Sequence, residues 1–292
     1  MTTVLPAPAA NDEEDSPVQV QVAVERWFDG IRDQGLDRVA HEEPLEIQLG
    51  GVGVAVLMRT PGNDEELALG FLLTERVIGS PRDVVSVRHS TTAREPEAEG
   101  NVLNVVLAGH VAPPLERLRR NTYASSSCGL CGKATIRAAL LELSPVSSEL
   151  VVEPLAFGVM AEALRRAQPA FDLTGGLHAA ALFTPAGELR LAREDVGRHN
   201  AVDKLFGAAI REGLPLSELV LFVSGRISLE IVQKAAACAV PLVAGISAPT
   251  SLAVRYGEAL GITVVGFVRG GRLNVYSQAS RVTTPEGSDD SV

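Results

Sequence analysis

Apolar and polar positions alternate over residues 18–27 with the two-residue period of a half-buried strand. The same period returns over 44–59, broken at Gly50-Gly51, and predicts two strands around a turn. Pro61-Gly62-Asn63-Asp64 then supplies turn and cap residues, with acids in the first helical turn. The spacing predicts a helix over 65–78, stopped by Gly79. Residues 83–89 and 102–108 read as further strands, with the polar stretch 90–100 a loop between them.

The rhythm changes in the second half. Residues 160–168 read as a helix. Residues 178–183 and 188–192 flank Pro185-Ala186-Gly187 and predict a hairpin. A helix over 201–211 is ended by Gly213. Strands over 218–223, 241–246 and 262–268 then alternate with helices over 228–239 and 251–260. Strand–helix–strand alternation implies parallel strands with crossover helices. The expected fold class is α/β and α+β. An α+β lobe spans 18–120, a cysteine loop and its following helix 121–144, and an α/β domain 145–280. Residues 1–17 and 281–292, rich in Pro, Ser, Thr and acids, read as disordered tails.

Composition narrows the function classes. Apolar residues make up 46% of the 292, but aromatics only 4%, so aliphatic side chains must fill the core. The net charge of −10 weighs against nucleic-acid binding, while leaving room for a local basic pocket. The first fifteen residues lack the basic and apolar regions of a signal peptide, and no apolar stretch is long enough to span a bilayer. Three cysteines, an odd number, argue against a disulfide scaffold and for a reducing cytoplasm.

In open α/β sheets, ligands bind beyond the carboxyl ends of the strands. Three predicted strands end in Ser224-Gly225-Arg226, Ser247-Ala248-Pro249-Thr250 and Arg269-Gly270-Gly271-Arg272. Any one of these loops reads most simply as turn and cap residues with a solvated arginine. Three at equivalent strand ends predict an anion site for phosphate or pyrophosphate. Neither a Walker A motif nor a well-formed G-x-G-x-x-G is present. A second polar cluster runs from Arg193 through His199 and Asn200 to Asp203 and Lys204. It fits two readings equally: a helix start capped by Asn200, or a site wall in which His199 exchanges protons. His178, entering a strand after a glycine pair, reads as a hydrogen-bonded structural residue, and His41, His89 and His110 as surface residues.

Cys128 and Cys131 stand three apart in Ser125-Ser126-Ser127-Cys128-Gly129-Leu130-Cys131-Gly132-Lys133. Two such thiols can share a metal, form a disulfide or pass a sulfur atom. A structural zinc site usually needs four N/S ligands. Only Cys238 remains as sulfur, inside a predicted apolar helix where it reads as a core residue, and no histidine stands at knuckle spacing, so no metal is expected. A zinc deaminase would need H-x-E, but Ala179 and Ala180 follow His178, and Ser127 precedes the thiols instead of proline. The pair also lies mid-chain, unlike a thioredoxin dithiol. Sulfur carriage suits the setting: small neighbours leave the thiols accessible, and Lys133 with a following helix would lower the thiol pKa.

Five motifs occur in one order: Ser-Ser-Cys-Gly-x-Cys-Gly (126–132), Glu-Asp-Val-Gly-Arg-His-Asn-Ala-x-Asp-Lys (194–204), Ser-Gly-Arg-x-Ser-x-Glu (224–230), Ser-Ala-Pro-Thr (247–250) and the strand end 267–272. In these the chain resembles the formate dehydrogenase accessory sulfurtransferase family over roughly residues 18–280. The resemblance implies a cytoplasmic, homodimeric sulfur carrier with a cytidine-deaminase-like core and no nucleic-acid or membrane partner. It implies a persulfide on Cys128, loaded by a cysteine desulfurase, with Cys131 as partner thiol. A helix starting near Gly132 would instead favour Cys131 as the more acidic thiol; the family pattern favours Cys128. The sulfur would go to the molybdenum of a bis(molybdopterin guanine dinucleotide) cofactor, the cargo destined for formate dehydrogenase. Phe267, Val268, Arg269, Gly270, Gly271 and Arg272 match the family's cofactor-binding segment. Ser224, Gly225, Arg226, Ser247, Thr250 and His199 complete the expected site. The alternatives are a non-catalytic cofactor chaperone and a deaminase-type zinc enzyme.

Overall fold

A computed structural model describes residues 17–90, 100–115, 118 and 143–283. The thiol pair, all but the last residue of the predicted helix over 134–143, most of the 90–100 loop and most of both predicted tails lie outside the described residues.

Three sheets organise the described chain. Strands β1 (Gln19–Phe28) and β2 (Ile31–Ala40) pair as an antiparallel ribbon around Asp29-Gly30. Strands β3 (Glu43–Leu49), β4 (Val52–Arg59), β5 (Val84–His89) and β6 (Val102–Leu107) form a four-stranded sheet in the order β4-β3-β6-β5. Helix α1 (Asp64–Thr74) follows β4, with Asp64, Glu65 and Glu66 in its first turn, where acids favour the positive helix end. It ends four residues earlier than the spacing predicted. Arg76 takes a left-handed φ of 57°, and the Val77 N–H returns to the Leu72 carbonyl at 2.8 Å. Val77 and Ile78 still pack in the core, which is why they extended the apolar pattern.

Helices α2 (Pro154–Arg166) and α3 (Pro169–Thr174) lead into the six-stranded sheet. Its strands are β7 (His178–Phe183), β8 (Leu189–Asp195), β9 (Val220–Val223), β10 (Leu242–Gly245), β11 (Thr263–Arg269) and β12 (Arg272–Ser277). Their order is β12-β11-β10-β9-β7-β8. Strands β9, β10 and β11 are mutually parallel, as the alternation implied, joined by α5 (Leu229–Ala237) and α6 (Ser251–Ala259). Helix α4 (Arg198–Glu212) connects β8 to the region of β9 and ends at Gly213, φ 69°. Strand β9 starts later than predicted because Leu216–Glu218 forms a single 3-10 turn. The chain is structured beyond residue 281: Val282 bridges Val152, and the Arg281 guanidinium donates to the Gly261 carbonyl at 2.8 Å. No helix among the described residues is long and apolar enough to cross a membrane.

Alternate residues of each strand face opposite sides, and the two sides bury different cores. Ala179, Ala181, Phe183, Val220 and Phe222 pack beneath Phe157, Met160 and Leu164 of α2. Ala180, Leu182, Leu221 and Val223 face a larger core. That core contains Val202, Leu205 and Phe206 of α4 but also Leu45, Ile47, Leu67 and Leu72, so the four-stranded sheet and the six-stranded sheet share it.

The seam is the crossing of α1 and α4. A Cβ on Gly70 would stand 1.7 Å from the Asp203 carbonyl oxygen, and one on Gly207 1.8 Å from that of Glu66. Buried ion pairs surround this contact. Lys234 Nζ lies 2.8 Å from the Asp203 carboxylate and 3.0 Å from Thr74 Oγ1. Lys204, 1% exposed, lies 2.8 Å from Asp195 and donates to the Thr60 carbonyl at 2.7 Å. Such charges are tolerated when paired and hydrogen-bonded.

Overpacking a tight contact costs on the order of 1–3 kcal/mol or more. Gly70→Ala and Gly207→Ala are each expected to lower stability by about 3 kcal/mol in urea unfolding. Gly158, inside α2 with nothing within 4 Å of its Cβ position, provides the control. Gly158→Ala is expected to raise stability by about 0.5–1 kcal/mol.

Candidate functional site

The carboxyl ends of β9, β10 and β11 lie side by side, and the loops that follow are stitched together. The Ile227 N–H donates to the Ala248 carbonyl at 3.2 Å, and the Thr250 N–H to the Ile227 carbonyl at 2.9 Å. The Phe267 N–H donates to the Ser247 carbonyl at 3.2 Å. Thr250 caps α6, its hydroxyl accepting from the Ala253 N–H. Ser224 Oγ accepts from the Ala179 N–H at 2.9 Å, tying the first loop to β7.

The hairpin β7–β8 brings a second group to the same edge. Because β7 runs antiparallel to β9, its first residue, His178, lies beside the end of β9. The last residue of β8, Asp195, pairs with His178, and two residues later the chain enters α4. Arg198 and His199 therefore stand at the edge as the first residues of α4. Gly225 sits where a side chain would not fit easily: a Cβ there would stand 3.3 Å from His178 Nδ1 and 3.5 Å from Arg198 Cβ.

The cluster over residues 193–204 starts α4 without the predicted Asn200 cap, and burial lowers the His199 pKa too far for the predicted proton exchange near neutral pH; its residues divide between the interior and the sheet edge. Asp195, Asn200, Asp203 and Lys204 point inward. Asp195 accepts from the Gly197 N–H at 2.8 Å, the Thr60 N–H at 3.1 Å and Asn200 Nδ2 at 3.0 Å. Asn200 also donates to the Met58 carbonyl, so it is an interior tie and not the cap of α4. Arg193 pairs with Glu66, and Glu194 accepts from the Ala170 and Phe171 N–H groups. Arg198 and His199 face the strand-end loops. A cavity of about 480 Å³ opens beside Thr60, Arg193, Glu194 and Lys204, away from the loops, but the charged groups named here are already engaged.

The edge is cationic. His178 is half-buried; burial, then the Arg198 and Arg226 charges, lower its pKa. Burial, with Lys234, Arg198 and His178, lowers the His199 pKa to about 3. His199 Nε2 lies 3.4 Å from Ser228 Oγ and 3.9 Å from Glu230 Oε2. Arg198 Nε is buried with no hydrogen-bond partner among the described residues. A buried unpaired donor is costly, and an anion against it would relieve that cost.

The predicted arginines divide. Arg226 belongs to the cationic cluster, although exposed. Arg269 and Arg272 pair across the two-residue turn Gly270-Gly271, and both are exposed. The predicted strand end is thus a hairpin into β12, a strand the sequence reading missed. Phe267 takes a left-handed φ of 56° at the irregularity in β11 and is exposed, while Val268 is buried. Arg198 was not singled out, because an arginine starting a helix looks like any solvated residue until its Nε is seen to be buried. His178, read as structural, lies among the site residues. His41 is half-buried against Glu43, whereas His89 and His110 are exposed.

Among the described residues no three His, Cys, Asp or Glu side chains are placed to hold a metal. Ala179 and Ala180, buried in β7, leave no acid two residues after His178. Cys238 caps the end of α5, and burial raises its thiol pKa far above the ordinary value, so it is an inert core thiol.

An imidazole held neutral in the fold takes up its proton only on unfolding. The unfolded chain then binds more protons, and the His199 contribution to stability is present above pH 6.5 and lost as pH falls toward about 3. Wild type and His199→Asn are compared by urea unfolding from about pH 4 to about pH 7. The variant is expected to show the shallower pH dependence, by up to about 1.4 kcal/mol per pH unit. Asp195 and Asp203, whose carboxyl pKa values burial raises, act in the opposite sense and cancel in the comparison. Parallel curves would show that His199 titrates in the folded protein as it does in the unfolded chain.

A profile of the FdhD/NarQ family matches residues 40–283. "Sulfur carrier protein FdhD" of Mycolicibacterium paratuberculosis is 49% identical over 245 residues, 82% of this chain and 90% of that protein. The protein of the same name from Mycobacterium tuberculosis is 47% identical over 254 residues, 85% of this chain and 92% of its own. That of Streptomyces coelicolor is 47% identical over 266 residues, 88% and 93% of the two chains. The crystal structure of a Desulfotalea psychrophila protein, described as a formate dehydrogenase accessory protein, superposes with a TM-score of 0.72 at 22% identity. It covers 91% of this chain and all of that one, and so shares the fold. With residues 40–283 matched, from the end of β2 past the isolated bridge of Val152 and Val282, the chain belongs to the FdhD/NarQ family.

Proposed function

We propose that the protein is a sulfur carrier in formate dehydrogenase maturation. The observation that carries this reading is identity of 47–49%, across more than four-fifths of the chain, to proteins named sulfur carriers. The sulfur step falls to Cys128 and Cys131. A Cys128 thiolate attacks the outer sulfur of a persulfide on a cysteine desulfurase. The donor leaves as a thiolate, and Cys128 holds the persulfide. Attack by the Cys131 thiolate on Cys128 Sγ then expels hydrosulfide toward the acceptor. The two thiols supply the electrons and finish as a disulfide, which a thiol reductant reopens.

The acceptor is a bis(molybdopterin guanine dinucleotide) molybdenum cofactor, bound as cargo on the strand-end loops of a cytidine-deaminase-like core. Ser224, Gly225, Arg226, Ser247, Thr250, His199 and residues 267–272 form that site, with Arg198 and His178 added. Support comes from the cationic edge in a chain of net charge −10 and from the unpaired Arg198 Nε, which suits the pyrophosphate of such a cargo. The charged anchor is Arg198 with Arg226, while Arg269 and Arg272 stand on the exposed turn after β11, which β10 separates from β9. The carrier acts as a homodimer in the cytoplasm, with a formate dehydrogenase as client.

Incubation with a cysteine desulfurase and cysteine is expected to add the mass of one sulfur to Cys128. Cys128→Ala with Cys131→Ala is expected to abolish formate dehydrogenase activation. Full activation by that double variant would leave a chaperone without sulfur transfer as the correct reading. GDP, probed by calorimetry, tests the cargo site. Arg198→Ala is expected to weaken binding roughly tenfold to a hundredfold, through loss of a partly buried charge-assisted bond. Arg269→Ala with Arg272→Ala is expected to weaken it by no more than about fivefold, as for exposed charges. The reverse order would place the phosphates on the turn.

A further inference from the structure

One residue of the sheet edge is held in a conformation that its side chain disfavours. Phe267 takes a φ of 56°, in the left-handed region. Glycine and asparagine accept that region, whereas a bulky aromatic is an outlier there. Such strain persists where neighbouring contacts over-determine it, and it gathers at functional sites.

The contacts that impose it are local. Strand β11 carries one residue more than β12 between two matched pairs, Gly266 with Asn274 and Arg269 with Arg272. The extra residue makes a β-bulge, a device that re-aims a side chain. The Phe267 N–H donates to the Ser247 carbonyl at 3.2 Å. Gly266 is pressed against the same loop: a Cβ there would stand 2.8 Å from Pro249 Cδ and 3.2 Å from the Ser247 carbonyl oxygen. Regular alternation would send Phe267 inward after Val265. The bulge gives that place to Val268, which shares the core beneath α2 with Val265, and leaves Phe267 45% exposed. A large ring is thus turned outward at a cost in backbone strain, with little burial in return.

The sheet fixes where this ring stands relative to the arginines. Gly245 of β10 lies beside Val223 of β9, and Ala244 beside Val265 of β11. Phe267, two residues beyond Val265, is therefore level with Ser224, two strands away. Neighbouring strands lie about 4.8 Å apart, which sets Phe267 on the order of 10 Å from the end of β9. At that end stand Arg198, against Gly225, and Arg226. Positive charge at one end and a flat apolar ring at the other match the two ends of a nucleoside diphosphate, its phosphates and its planar base, joined by a ribose.

We propose that Phe267 is a stacking platform for the base of a nucleoside diphosphate whose phosphates lie at Arg198 and Arg226. The ligand then lies across the ends of β9, β10 and β11. Stacking asks only for a flat π-face, so Phe267 holds the base without reading which base it is. The inference rests on the cargo site proposed above and adds the direction in which the cargo lies.

Calorimetry on the full chain with GDP and with inorganic pyrophosphate is the test. Phe267→Leu keeps an apolar side chain and loses the flat ring. It is expected to weaken GDP binding roughly tenfold, the scale of one base–aromatic stack, and to leave pyrophosphate binding unchanged. Phe267→Trp is expected to retain GDP binding. Urea unfolding reports on the backbone: Phe267→Gly is expected to be more stable than Phe267→Ala, because glycine takes a positive φ freely. Unchanged GDP affinity in Phe267→Leu, or equal loss of GDP and pyrophosphate, overturns the stack and leaves the cargo site standing. So does a wild-type chain that binds pyrophosphate but not GDP. An alanine variant as stable as the glycine variant overturns the strained bulge from which the stack is argued. A wild-type chain that binds neither probe overturns the cargo site and the stack together.

Discussion

Two helices meet backbone to backbone at Gly70 and Gly207, and the rest of the molecule is arranged around that contact. Helix α1 belongs to the part of the chain that forms the four-stranded sheet; α4 belongs to the six-stranded sheet. Asp203 joins them twice. Its carbonyl lies under Gly70, and its carboxylate holds Lys234 of α5 and Thr74 of α1. Three helices thus converge on one residue. A side chain at either glycine would force them apart and separate a core that both sheets share.

The same constraint positions the candidate site. With α4 held through Asp203 and through Lys204 against Asp195 and Thr60, its first turn cannot drift from the sheet edge. Arg198 and His199 consequently keep their places beside the loops after β9 and β10. One short motif serves two purposes: its inward members lock the halves together, and its outward members present donors and positive charge. The buried ion pairs are close and multiply bonded, the condition under which interior charges persist.

Charge gives the edge its chemical character. The chain is acidic overall, yet His178, Arg198 and Arg226 crowd one end of the sheet. Both histidines are biased toward the neutral form, so they offer hydrogen bonds while the arginines supply the field. An anionic cargo would find a pre-formed counter-charge there. The proposed sulfur chemistry falls instead to Cys128 and Cys131, outside the described residues.

Periodicity alone carried much of the fold. It marked the β3–β4 hairpin, the β7–β8 hairpin and the parallel run β9–β10–β11, because buried strands and amphipathic helices repeat with their own periods. It failed where tertiary contacts overrode local pattern. Strand β2 reads Ile-Arg-Asp-Gln-Gly-Leu-Asp-Arg-Val-Ala, too polar to announce itself, and is held by its pairing with β1. Strand β12 hides behind the Gly270-Gly271 turn. Motif order was sufficient to indicate the family, and residue types to mark the thiol pair and three small-residue loops at strand ends. Only the tertiary structure decided that Arg198 and His178 belong to the sheet edge, that Asn200, Asp203 and Lys204 do not, and that Arg269 and Arg272 lie on an exposed turn. Sequence records which residue types are present, but burial and the direction of a side chain depend on elements distant along the chain.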